Sequence, residues 1–182
     1  MLKGQDIVLL ILLRLRPSQS WTYQTLSKEI GLSVSQCHTA HRRLHSAGLL
    51  DYVRGNPWQV REASCIELIL YGIKYFFPPE IGVQARGIPT AGSAPFIEAY
   101  FGSNEAQTLS YVWPDPEGGS LGRSLKPIHP CQVRFAPEKH DALSPNHGIY
   151  EAFVCIDLLR VGWGRERAWA VDELKKRLHG GK

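Results

Sequence analysis

The chain has 182 residues, 43% hydrophobic and 21% charged. That composition excludes a disordered chain, a collagen-like chain and a coiled coil, and the length suffices to bury a core without disulfides or metals. The formal net charge of +4 is unevenly spread. Residues 1–61 hold eight cations (Lys3, Arg14, Arg16, Lys28, Arg42, Arg43, Arg54, Arg61) against three acids (Asp6, Glu29, Asp51), a net of +5; residues 62–182 hold thirteen against fourteen, a net of −1. The whole excess lies in the first third, the footprint of a module that binds a polyanion.

The apolar run at residues 7–13 is far short of the roughly 20 residues a bilayer span needs. Asp6 precedes it, Arg14 and Arg16 follow it, and no small-x-small cleavage site appears, so a buried first helix over residues 2–15, stopped by Pro17, is expected rather than a signal peptide. Cys37, Cys65, Cys131 and Cys155 form no CxxC pair. Reduced thiols, a cytoplasmic location and no membrane association are expected.

Thr22 is placed to cap a second helix, Tyr23–Ile30, with Leu26 and Ile30 on one face and Gly31 closing it. Ser33, followed three residues later by Gln36, is a capping box for a third helix that runs to about residue 47. Strands are expected at 49–53 and 58–61, around a turn at 54–57. A helix over 64–76 is stopped by Pro78 and Pro79. Residues 78–145 contain ten of the 12 prolines and seven of the 17 glycines. They read as a long irregular stretch, including 85–92, and then a hairpin with strands 109–113 and 121–128 around a turn at 114–119. Helices over 147–161 and 165–178, joined at Gly162-Trp163-Gly164, close the chain. The expected fold class is α+β: an N-terminal winged helix-turn-helix over 1–61, then a second mixed α/β domain over 62–182 with C-terminal helices.

Helix, helix, glycine turn, helix and hairpin is the order of a winged helix-turn-helix. The run from Trp21 through Leu26, Ile30-Gly31-Leu32-Ser33 and Ser35-Gln36, then Arg42-Arg43-Leu44 and Ala47-Gly48-Leu49-Leu50, resembles the MarR-like winged-helix transcription regulators of bacteria. The resemblance covers residues 1–61 only. It implies double-stranded DNA as the partner, with the wing tip at Arg54 touching the minor groove or the backbone.

A helical wheel tests that reading on the third helix. Cys37, Leu44, His41, Val34 and Ala40 share one face, which should be buried. Ser35, Thr39, Arg42 and Ser46 lie opposite, flanked by Gln36 and Arg43, with no acid among them. An acid-free stripe suits a groove lined by phosphates. Arg reads guanine edges and Gln reads adenine, whereas Ser and Thr contact bases or phosphates. Ser35, Gln36, Thr39, Arg42 and Arg43 are therefore the expected major-groove contacts, with Arg54 from the wing and Lys28 on the backbone.

Other groupings have plainer readings. His38, His41 and His45 form a stripe that could ligate zinc but also suits packing between helices. His129, Cys131 and His140 have no recognised ligand spacing. Arg86, in a loop of small residues, could meet an anion. Gly118-Gly119-Ser120-Leu121-Gly122 sits in a turn, and no GxSxG, Walker or HExxH motif occurs. No metal, cofactor or enzymatic activity is expected. The C-terminal helices carry Phe153, Val154, Ile156, Leu158, Leu159, Trp169, Val171, Leu174 and Leu178, an apolar face suited to a homodimer interface. The sequence thus reads as a sequence-specific DNA-binding regulator, a repressor acting as a dimer. The alternatives are an antitoxin that neutralises a partner toxin and represses its own operon, or a winged-helix module that binds protein.

Overall fold

In a computed structural model, residues 1–53, 55–101, 110–137 and 146–179 are described. Three helices open the chain: α1 (Gly4–Leu15), α2 (Tyr23–Ile30) and α3 (Val34–Ser46). They lead into an antiparallel pair, β1 (Leu50–Val53) and β2 (Asn56–Val60), which aligns Leu50 with Val60 and Asp51 with Gln59. Local chemistry sets these boundaries. Thr22 Oγ1 accepts from the Thr25 N–H at 3.1 Å, and Gly31 ends α2 at φ +77°, a conformation that favours glycine. Ser33 Oγ accepts from the Gln36 N–H at 3.2 Å while Gln36 Oε1 accepts from the Ser33 N–H at 2.8 Å, a reciprocal capping box.

The next helix is interrupted. α4 (Glu62–Glu67) passes through a π-helical turn, Leu68–Gly72, into α5 (Ile73–Phe76). The stretch expected to be irregular at 85–92 is instead mostly strand: β3 (Ile81–Thr90) runs ten residues into a 3-10 turn, Ala91–Ser93, and then α6 (Pro95–Phe101). β4 (Tyr111–Pro114) and β5 (Ser120–Leu125) do not form the expected hairpin with each other. Both run antiparallel to β3, β4 along its C-terminal half and β5 along its N-terminal half, and they meet each other in parallel, closing a three-stranded barrel. The turn after Pro114 therefore wraps around Gly87, which pairs with both Pro114 and Ser120. A Cβ at Gly87 would run into the Trp113 carbonyl, so only glycine lets the strands cross so closely.

A 3-10 segment, Pro130–Phe135, precedes α7 (Asn146–Val161) and α8 (Gly164–His179). The architecture is α+β, with small sheets attached to a mainly helical body.

The core is one continuous cluster that does not break at residue 61. α1 lies across the expected boundary, against α3 and β2 on one side and α7 and α8 on the other. Residues 7–13 are consequently at most 2% exposed, which explains a helix apolar all round. Polar links cross the same seam. The Arg14 guanidinium pairs with Glu62 and donates to the Leu178 carbonyl at 2.8 Å, and that of Arg16 donates to Asn146.

α7 is the second central helix, buried from Phe153 to Leu159. This corrects the expected dimer face. Phe153, Val154, Ile156, Leu158, Leu159, Leu174 and Leu178 are buried within the chain, and Trp169 and Val171 are partly buried against the same core. Asp157, fully buried on α7, accepts from Thr90 Oγ1 at 2.8 Å, Trp113 Nε1 at 2.6 Å and Arg160 Nη1 at 2.6 Å. A buried carboxylate is tolerable only with such a donor set, and this one ties the barrel to α7. All four cysteines are free and buried.

Candidate nucleic-acid interface

α3 buries only Cys37, Ala40 and Leu44. Ser35, Gln36, His38, Thr39, Arg42, His45 and Ser46 are exposed, and no acidic side chain occurs on this helix. Val34, placed on the inner face by the wheel, is 46% exposed, because the first helical turn projects past the core.

Arg42 is exposed and makes no ion pair among the described residues. Ser35 is exposed, and its carbonyl accepts from Thr39 Oγ1 at 2.9 Å. Gln36 spends its amide oxygen on the capping box and keeps its NH2 group for a partner.

Arg43 differs from the expectation. Its guanidinium turns inward to grip Asp6 on α1 through two bonds, Nε to Oδ2 at 2.7 Å and Nη2 to Oδ1 at 2.6 Å. Asp6 is fully buried, so it needs a cation, and Arg43 is the nearest that α3 can supply. The Arg43 pKa is raised, chiefly by this hydrogen bond. Arg43 is thereby an anchor between α1 and α3 rather than a groove contact.

Lys28 is exposed but lines a cleft of about 510 Å3 with Glu29, Arg134 and Asn146, beside the later half of the chain. Arg54, expected at the tip of the β1–β2 turn, lies outside the described residues, as does His140.

The other charges of the first third are internally balanced. Glu29 pairs with Arg16 at 2.6 Å, and Asp51 pairs with Arg61 at 2.6 Å. Together with Asp6 and Arg43, every acid in residues 1–61 is matched by an arginine. Lys3, Lys28 and Arg42 are left without an ion pair among the described residues.

A cluster that sequence reasoning missed sets the hairpin against the helices. His41 Nδ1 lies 3.0 Å from Tyr23 Oη, and its Nε2 lies 2.8 Å from the Pro57 carbonyl. A carbonyl only accepts, so Nε2 carries the proton and Nδ1 accepts from the tyrosine. The Trp58 ring stands 4.5 Å from the imidazole and 5.0 Å from the Tyr23 ring. Burial lowers the His41 pKa below its ordinary 6.5, and the nearby His45 and His38 act in the same direction. The signal was an aromatic residue on each of two neighbouring elements with a histidine between them. His41 is thus committed to α2 and β2, and among the described residues no group of three or more His, Cys, Asp or Glu is arranged to hold a metal ion. Arg86 donates to the Gly118 carbonyl at 3.3 Å across the barrel turn.

No helix among the described residues is long and apolar enough to cross a membrane. Comparison with protein families, curated proteins and solved structures gives no match for this chain.

Proposed function

We propose that residues 1–61 act as a winged helix-turn-helix that binds double-stranded DNA, and that the chain is a transcriptional regulator. The observation that carries this reading is the outer face of α3: exposed along its length, free of acids, with Arg42 uncommitted. In this reading Ser35, Gln36, Thr39 and Arg42 enter the major groove, and the β1–β2 hairpin, held by His41, stands as the wing. Arg43 supports the site through Asp6 and reads nothing. The uncommitted cations are few, so the salt dependence of binding should be shallow, reflecting a handful of phosphates per chain.

Fluorescence anisotropy with duplexes enriched from a randomised pool tests the reading. Wild-type protein should bind the enriched duplex more tightly than a scrambled one. Arg42→Ala should lose about 1–3 kcal/mol of that preference, roughly a 5- to 150-fold weakening. Equal binding of wild type and Arg42→Ala at every salt concentration would remove α3 as the reading helix.

A further inference from the structure

The helix formed by α4, the π turn and α5 carries a surface that DNA binding leaves unused. Cys65, Ile69, Leu70 and Ile73 face the core. On the far side Ala63, Glu67, Tyr71 and Tyr75 recur every four residues and are all exposed. Tyr71 is 63%, Tyr75 74% and Phe76 62% exposed, a concentration of aromatic surface that is costly to leave in water. The ridge forms one wall of a groove of about 480 Å3, whose lining combines Glu67, Tyr71 and Phe76 with Leu2, Ala47 and Leu49.

A two-fold axis near Tyr71 lays the ridge of each copy along that of the other, so that Tyr75 of each meets the Glu67 wall of its partner's groove. The charges follow the same rule. Glu67 lies four residues before Tyr71 and Lys74 three residues after it, and neither makes an ion pair among the described residues. The Lys74 ammonium rests 4.7 Å from the centre of the Tyr75 ring, on the ridge itself. An axis near Tyr71 with the helices antiparallel brings Glu67 of each copy to Lys74 of the other and stacks the two Tyr71 rings, a favourable aromatic pairing. The chain itself supplies both members of the charge pair, one on each side of the axis.

We propose that the protein forms a two-fold homodimer through the Glu67, Tyr71 and Tyr75 ridge, with Glu67–Lys74 pairs closing both ends. This stands independently of the DNA reading. Light scattering on the full chain at about 100 μM should give twice the 20.4 kDa chain mass. Glu67→Lys and Lys74→Glu should each dissociate at least about tenfold more readily, because like charges then face each other twice. An equimolar mixture of the two variants should regain the dimer, since both end pairs again become opposite. The double variant should also dimerise, and thermal melts establish that all variants are folded. A monomeric wild type, single variants that remain dimeric, or a mixture that stays monomeric would each overturn the proposal.

Discussion

α3 and α7 share one hydrophobic core but are used in opposite ways. α7 buries eleven of its sixteen residues and α3 three of its thirteen. On α7 the buried polar group, Asp157, holds the barrel through Oδ2, which accepts from Thr90 and Trp113, while its Oδ1 accepts from Arg160 on the same helix. On α3 the inward-turned polar groups are mechanical, Arg43 to α1 and His41 to the hairpin, while the remaining polar face meets water. A helix enclosed on every side can only support; one enclosed on a single stripe can present side chains to a partner. α7 thus supports the fold, and in the proposed reading α3 is the helix that recognises DNA.

Substitutions can break that division, and the largest effect belongs to α7. Asp157→Ala removes the one carboxylate partner that Arg160 has among the described residues, leaving it carbonyl acceptors only, and leaves the Trp113 N–H without an acceptor; it should cost about 3–5 kcal/mol of stability, seen as a lower urea midpoint. A midpoint unchanged within error would mean that the network does not bind the barrel. Arg43→Ala should be next, at about 1.5–3 kcal/mol, because Asp6 loses both charged hydrogen bonds in a buried site. Its residual DNA affinity, corrected for the folded fraction, should match wild type; a specific loss would return Arg43 to the reading face.

His41→Ala should cost about 1 kcal/mol and also change the pH dependence. The folded-state pKa of His41 lies below 6.5, so below that value the unfolded chain binds more protons than the folded one. The stabilisation is complete above pH 6.5 and drains away as pH falls from 6.5 through the folded-state value. The corresponding slope should vanish in His41→Ala, and an unaltered slope would show that the clamp does not report this titration. Smallest of all, Arg42→Ala should shift stability by no more than about 0.5 kcal/mol while weakening DNA binding, the converse of Asp157→Ala.

The first three helices and the hairpin were legible because their ends are written in local chemistry: Thr22, Gly31, and the Ser33–Gln36 box. The acid-free face of α3 was also legible, since helical spacing alone decides it. Arg43 was not, because its partner Asp6 is 37 residues away and a wheel contains no second helix. β3 was hidden by its own Gly87 and Pro89, which read as loop residues although one permits the strand crossing and the other offers its carbonyl to the Tyr150 hydroxyl at 2.7 Å. Pro114 to Gly119 has hairpin-turn chemistry, yet the flanking strands take β3 as their shared partner, a pairing that local signals do not encode. The apolar stripes of α7 and α8 were read correctly as apolar, but their burial partner was this same chain.

The most direct test is an amide chemical-shift map of the full chain with and without an enriched DNA duplex. The account predicts that perturbations concentrate on residues 33–46 and the β1–β2 hairpin, with the Ser35, Gln36, Thr39 and Arg42 signals moving most and the buried amides of α7 unmoved. Unperturbed α3 signals in the presence of bound duplex, or perturbations centred elsewhere on the chain, would contradict it.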